Sequence, residues 1–305
     1  MNTKPEISVL ILNYNNTNDT LECVHSLMKN NFNNYEIILI DNGSTDGSKE
    51  ILKELESKYS NIIFIINKIN LGFAEGANKG MSIARGDYIL FLNNDTIVKE
   101  DFLDCLIKQA SEHPDASIFC PKIYFYDRPD TIWFAGGYID WKYQGAHIGY
   151  GRKDSNIYDT AATCEYVTGC AMLIKKEVIK KIGLFDESFF AYQEDVDLCI
   201  RARKAGYKCM YIPYPHVWHK EGATSKKQGR MSPFIVYLGT RNKLVMVRKN
   251  YSKLRFVDAL LRELFIATPI YSLLYASRGH FDLPPARLQG IIDALNGKNK
   301  YLPKL

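Results

Sequence analysis

The chain contains no CxxC pair, and its seven cysteines (Cys23, Cys105, Cys120, Cys164, Cys170, Cys199 and Cys209) are an odd number. A disulfide framework or a zinc knuckle does not fit that pattern, so the expectation is buried free thiols in a reducing compartment. Long hydrophobic runs are also missing. The longest uncharged apolar stretch, residues 264–277, falls short of the roughly 20 residues that a helix needs to cross a bilayer. The first apolar run, residues 7–12, leads straight into Asn13-Tyr14-Asn15-Asn16, so no secretory leader is expected. There is no internal repeat and no low-complexity linker.

A chain of 305 residues, 46% hydrophobic and 24% charged, has the composition of an ordinary globular protein with a sizeable core. Its net charge of +5 is unevenly placed. Residues 226–305 carry 15 Lys and Arg against 4 Asp and Glu, an excess of 11, whereas residues 1–225 carry 24 against 30. A basic tail on an acidic body fits an anionic partner (a membrane surface, a nucleic acid or an anionic glycan) or simply a set of solvated surface helices.

The first hundred residues alternate two signals. Short runs apolar on both faces, at 7–12, 35–40, 61–66 and 88–92, read as strands. The stretches 19–29, 48–58 and 76–84 have helical spacing. That alternation predicts an α/β fold with a mostly parallel sheet covered on both sides. Ligands of such sheets bind beyond the carboxyl ends of the strands. The polar turns fall there: Asn13-Tyr14-Asn15, then Asp41-Asn42-Gly43-Ser44, then Asn93-Asn94-Asp95. Residues 121–166 are rich in aromatics, including Trp133 and Trp141, which serve either as sugar platforms or as core. The end is helical, with residues 254–274 interrupted by Pro269 and a shorter helix at 287–295.

Two acidic clusters carry the chemistry. Asp95 closes the fourth strand, where a carboxylate can hold a hard cation against a diphosphate. Glu194-Asp195-Val196-Asp197 opens a helical pattern and offers a proton acceptor. Each has a structural alternative. Asn94-Asp95-Thr96 can cap a helix beginning near Lys99, Asp41 or Asn42 can make an Asx turn, and Asp197 can pair with Arg201 four residues on. A nucleotidyltransferase would also want Asp41 and Asp95, but Asn13-Tyr14-Asn15-Asn16 is not the Gly/Arg/Lys-rich triphosphate loop such an enzyme needs. A non-catalytic nucleotide-sugar-binding protein is the other alternative.

Taken in order, Val9 to Asn15, Ile40 to Gly47, Asn70 to Asn78, Phe91 to Asp95, Thr168 to Ala171, Phe185-Asp186-Glu187 and Glu194 to Leu198 resemble the family 2 inverting glycosyltransferases. Within that family the likeness is to the rhamnosyltransferase-like branch that builds surface polysaccharides. The resemblance covers roughly residues 7–222. It implies a GT-A fold, a Rossmann-like nucleotide-binding sheet joined to an acceptor-binding half, here spanning residues 1–225 with a basic, mainly helical extension at 226–305.

By the same resemblance, Leu12, Asn13, Asn15, Asp41, Asn42, Ser44, Asn70, Gly72, Asn78, Asn93, Asn94 and Asp95 would bind a nucleotide sugar, with Asp41 receiving the base. Asn93 departs from the family's DxD pattern and leaves Asp95, with His219, to hold Mg²⁺ or Mn²⁺. Asp195 would be the base, Asp197 the runner-up, beside Glu194. Gly169, Cys170, Trp133 and Trp141 would meet the acceptor. The implied donor is dTDP-rhamnose, with UDP-hexoses or UDP-N-acetylhexosamines as alternatives, and the implied acceptor is a surface-polysaccharide or lipid-linked glycan. No nucleic acid partner is expected. The expected place is the cytoplasm, with the extension touching the inner face of an anionic membrane.

Overall fold

A computed structural model describes residues 4–221 and 232–303. Strands β1 (Ile7–Asn13), β2 (Tyr35–Asp41), β3 (Ile62–Ile66) and β4 (Tyr88–Leu92) form a parallel block in the order β4-β1-β2-β3. β1 and β2 are apolar and almost wholly buried, as strands covered on both faces must be. The covering helices are α1 (Thr17–Met28), α2 (Ser48–Lys58) and α3 (Gly72–Ile83). α3 lies close on the sheet: a Cβ at Gly80 would stand 2.7 Å from the Ile40 side chain.

Beyond β4 the sheet becomes mixed. β5 (Thr96–Val98) and α4 (Phe102–Glu112) follow, then β6 (Ile118–Phe125), β7 (Ile132–Phe134), β8 (Gly137–Ile139), β9 (Gly145–His147) and β10 (Ala162–Cys164). β11 (Ala171–Lys175) runs antiparallel between β4 and β6, and β12 (Cys209–His219) runs parallel to β6. α5 (Lys176–Ile182) and α6 (Glu194–Lys204) connect these two strands.

Two local expectations need correction. The third helix begins at Gly72, four residues before the expected Gly76. Asn94-Asp95-Thr96 does not cap a helix near Lys99; Thr96 instead enters strand β5, paired with β12, and α4 starts at Phe102.

The chain ends in α7 (Pro233–Asn250), α8 (Lys253–Arg262), one π-helical turn at Glu263–Ala267, α9 (Thr268–Ser277) and α10 (Leu283–Asn296). The π turn takes up the break imposed by Pro269, which has no N–H to donate. Behind it, buried Glu263 pairs with both Lys243 and Arg287. Leu244 to Val247, Ala259, Ile291 and Ala294 share the sheet's own core, so these helices are packed on the body. The expected boundary at 225/226 lies outside the described residues. Five of the seven cysteines are buried, Cys105 and Cys164 are half-buried, and all are free. Among the described residues, no helix is long and apolar enough to cross a membrane.

Candidate active site

Strand registers assemble the site. Asn13 stands opposite Asp41 across the parallel β1–β2 pair. β11 sets Ala171 beside Leu92, so Thr168-Gly169-Cys170 runs alongside Asn93-Asn94-Asp95, and the Asn93 N–H donates to the Cys170 carbonyl at 2.9 Å. β12 sets His219 opposite Thr96, next to Asp95. The result is a cleft of about 910 Å³ at the carboxyl ends of β1, β2 and β4. Both acidic clusters open onto it, Asn93, Asn94 and Asp95 as well as Glu194 and Asp195.

Five of the seven buried side-chain polar atoms without a partner among the described residues belong to this cleft's lining: Asp95 Oδ1, His219 Nδ1, Trp133 Nε1, Gln193 Oε1 and Glu194 Oε2. Buried polar atoms are normally paired, so a lining with several unpaired ones fits a polar ligand. Asp95 Oδ1 and His219 Nε2 face each other at 3.1 Å, an ion pair when His219 carries a proton. Two ligands converging on one cation have that relation. Burial works against a charge on His219, yet Cys170 and Asp95 beside it lift its pKa well above the ordinary imidazole range. A cation bound by His219 would take the place of that proton, so its binding would be linked to proton release. Among the described residues no group of three or more His, Cys, Asp or Glu is placed to hold a metal, so donor or water oxygens would have to complete the shell.

Glu194 and Asp195 differ in environment. Burial, then the charge of Asp195, pushes the Glu194 carboxyl up to about 8. Asp195 is also raised by burial, but the backbone N–H groups of Gly169 (3.0 Å to Oδ2) and Val196 (2.8 Å to Oδ1) work the other way. When one proton is shared by such a pair, Glu194 keeps it and Asp195 carries the charge. Asp197 is only 2% exposed, and it points elsewhere: Arg201 Nε donates to its Oδ2 at 2.8 Å and Asn250 Nδ2 to its Oδ1 at 2.6 Å. It does not line the cleft.

The nucleotide-side residues separate into two sets. Leu12, Asn42, Asn70 and Gly72 line the cleft together with Asn93, Asn94 and Asp95. Asn13, Asn15, Asp41, Ser44 and Asn78 are not part of that lining. Asp41 is fully buried, with Oδ1 taking the Ser44 N–H at 2.9 Å and Oδ2 the Asn13 amide at 2.9 Å, which is the Asx-turn alternative. The Asn15 N–H donates to Ser44 Oγ at 3.0 Å, tying the first turn to the second. Asn78 clips the backbone of Phe185 through both its amide N and O.

On the other side, Gly169, Cys170 and Trp133 line the cleft, and the Trp133 ring meets His219 edge-on at 4.6 Å. Gly169 matters through its N–H rather than for space: a Cβ there would meet Asp195 and Phe73 at an ordinary 3.7 Å. Trp141 is 62% exposed and lines a separate groove.

Gly72 has φ +78°, and a Cβ on it would stand 2.5 Å from the Phe190 carbonyl oxygen and 2.6 Å from its ring. Gly72→Ala is therefore expected to cost about 3 kcal/mol, combining left-handed strain with overpacking. Urea titration measures it, and a loss below about 1 kcal/mol would show that the loop yields.

Residues the sequence did not flag also reach the cleft: His147, Tyr166, the 190–193 loop, and Phe234, Ile235 and Tyr301 from the C-terminal part. Phe234 packs edge-on against Tyr301 at 4.6 Å and against Phe190 at 6.1 Å, so the helical extension builds one wall of the site. His147 is held neutral, its pKa lowered by burial to about 4.

Comparison with known proteins places this arrangement. The profile of Glycosyl transferase family 2 matches residues 8–183, more than half of the chain. The chain belongs to that family. Among curated relatives of this family 2 chain, Glycosyltransferase GlyG of Streptococcus pneumoniae is 36% identical over 124 residues, covering 41% of this chain and 41% of that protein. The N-acetylglucosaminyl-diphospho-decaprenol L-rhamnosyltransferase of Mycobacterium tuberculosis is 27% identical over 208 residues, covering 60% of this chain and 66% of that one. This family 2 chain thus matches less than half of the length of GlyG. The mannosyltransferase PcManGT of Pyrobaculum calidifontis, solved with GDP-Man and Mn²⁺, superposes with a TM-score of 0.61 at 12% identity, covering 98% of this chain and 89% of that one. That likeness identifies the fold as GT-A and extends over the C-terminal helices.

Proposed function

We propose that this chain is an inverting glycosyltransferase that moves a sugar from a nucleotide diphosphate donor to a hydroxyl group of a glycan. The observation that carries the reading is the single cleft shared by the Asp95–His219 pair and the Glu194–Asp195 pair. Leu12, Asn42, Asn70 and Gly72 cradle the nucleotide. Asp95 and His219 would be the side chains that hold Mg²⁺ or Mn²⁺. A bound cation supplies positive charge to the departing diphosphate. Asp195 takes the proton from the acceptor hydroxyl as its oxygen attacks the anomeric carbon, and the electron pair of the breaking bond leaves on the diphosphate oxygen. Trp133, with its free indole N–H and apolar face, lines the acceptor side.

The donor reading is dTDP-rhamnose, supported by the branch resemblance and by the named activity of the mycobacterial relative. UDP-hexoses and UDP-N-acetylhexosamines are the alternatives. The acceptor is read as a surface-polysaccharide or lipid-linked glycan, the place of action as the cytoplasmic side of the membrane. Residues 1–225 are read as the transferase unit and 226–305 as an extension that completes one wall of its cleft.

Thermal unfolding with dTDP-rhamnose, UDP-glucose and UDP-N-acetylglucosamine, each with Mn²⁺ or with EDTA, tests donor and metal together. One nucleotide sugar is expected to stabilise the protein by about 2–3 kcal/mol near a hundredfold excess over its Kd, and only with Mn²⁺. His219→Ala should lower the Mn²⁺ affinity about tenfold or more while the circular dichroism spectrum stays unchanged. The same stabilisation in EDTA would remove the cation from the proposal.

A further inference from the structure

α8 and α9 carry an apolar face that the rest of the described chain leaves uncovered. Leu254, Phe265 and Leu273 are 83%, 73% and 74% exposed, and Val257, Leu261 and Ile270 about half exposed. No charged residue occurs from Leu264 to Ser277. Surface helices of globular proteins normally put charge on their outer side, and an exposed apolar patch of this kind marks a contact surface.

The charges around the patch choose the partner. The acidic groups of these helices are already matched, Asp258 by Arg262 and Glu263 by Lys243 and Arg287. Lys253, Arg255 and Arg278 stay exposed at the rim. A second copy docking by the same face would bring two basic rims together, which is unfavourable. An anionic surface with an apolar layer beneath it matches both features. Phe281, 72% exposed, and Trp141 add aromatic side chains of the kind that favour the headgroup level.

We infer that the α8–α9 face seats this protein in the interfacial layer of an anionic lipid bilayer. The apolar side chains enter beneath the headgroups and the basic rim meets lipid phosphates. A groove of about 440 Å³, bordered by Trp141, Ile266 and Ile270, opens on this side, and Ile235 lines both that groove and the catalytic cleft. A seated molecule therefore holds its cleft close to the headgroups, within reach of a glycan carried on a lipid. That last step rests on the proposed transferase activity, whereas the seating does not.

Sedimentation of the full chain with vesicles tests it. Vesicles of phosphatidylcholine and phosphatidylglycerol in equal parts should carry the protein down; phosphatidylcholine alone should carry little. Phe265→Ser with Leu273→Ser should weaken the partition about a hundredfold, since each exposed apolar side chain contributes about a factor of ten. The unfolding temperature and transfer to a water-soluble acceptor should be unchanged in that variant. Lys253→Glu with Arg255→Glu should weaken binding to the mixed vesicles and reduce its salt dependence. Sedimentation of the Phe265/Leu273 variant equal to that of the parent overturns the inference. So does equal binding to neutral vesicles. A dimer in light scattering that this variant splits, without vesicle binding by the parent, also overturns it and assigns the face to a second copy. A parent protein that binds the mixed vesicles but transfers no sugar would count against the transferase reading and leave the seating standing.

Discussion

Asp195→Asn lowers turnover by about 10²- to 10⁴-fold, the usual contribution of a general base, while donor affinity stays within a factor of about two. The amide has the same shape as the carboxylate, and its oxygen keeps one of the two hydrogen bonds from the Gly169 and Val196 N–H groups, at the cost of the other. What disappears is the group that accepts the proton. Single-turnover transfer and isothermal titration with the donor separate the two effects; equal loss of both would give Asp195 a binding role instead. Glu194→Gln is the control. If Glu194 holds its proton up to about pH 8, replacing it with a neutral amide costs little turnover at pH 7. A dead Glu194→Gln beside an active Asp195→Asn would exchange their roles.

The same pair sets a pH dependence. Asp195 must be ionised to act, and burial raises its pKa, so turnover rises with pH through that raised value. Stability moves the other way. The native state keeps the Glu194 proton that the unfolded chain releases above about pH 4.5, so from there to about pH 8 the unfolded state binds fewer protons and stability declines. Glu194→Gln should flatten that decline, and a slope equal to the parent's would show that Glu194 ionises normally.

The donor half of the fold was legible because β1, β2 and β4 are buried on both faces and therefore almost wholly apolar, Ser8 and Glu36 being the polar exceptions ahead of their carboxyl ends. β1, β2 and β4 stand where the runs at 7–12, 35–40 and 88–92 end in polar turns. Their parallel register then carries Asn13, Asp41 and Asn93 to one edge without further information. Helix starts were less legible. Gly72 begins α3 because its backbone must pass under Phe190, a contact 118 residues away in the chain. Thr96 enters a strand because β12 offers it a partner, overriding the capping preference of the local sequence. The site divides in the same way. Asp197 beside Arg201 followed from spacing, but Asn250 completing that carboxylate's partners did not. Asp41 makes the Asx turn, each of its oxygens taking one N–H or amide proton, which the local sequence allowed but did not require. Phe234 and Tyr301 have no local signal for the cleft, since only the packing of the C-terminal helices on the body brings them there.

That packing has a catalytic consequence, which Asn242→Asp exposes. The 190–193 loop leads into Glu194 and Asp195, and three of its residues, Phe190, Tyr192 and Gln193, have φ of 66°, 69° and 74°. Each such non-glycine residue costs about 1–2 kcal/mol and persists only where its surroundings fix it. Asn242 on α7, fully buried, supplies the fixing. Its amide nitrogen, with two N–H groups shared among three acceptors, lies 2.8, 2.7 and 2.9 Å from the carbonyl oxygens of Phe189, Ala191 and Tyr192. Its oxygen accepts from Arg241 at 2.6 Å, and Arg241 also donates to the Ser188 carbonyl at 2.8 Å. One turn after the acidic pair, Asn250 of the same helix holds Asp197. α7 thus grips the chain on both sides of Glu194 and Asp195. A carboxylate at 242 keeps the volume but turns oxygen toward three carbonyl oxygens. The expected loss is about 3 kcal/mol of stability, from unsatisfied buried acceptors and a buried charge that Arg241 offsets only in part. Turnover should fall about 10²-fold even well below the unfolding temperature, because a base displaced by about an ångström loses that much. Donor binding should persist, since β1, β2 and β4 build that side. Burial raises the introduced carboxyl's pKa, and its protonated form regains a donor. The stability deficit relative to the parent should therefore grow as pH rises from about 4 and shrink as it falls. Parent-like turnover in the folded variant would show that the acidic pair holds its place without α7.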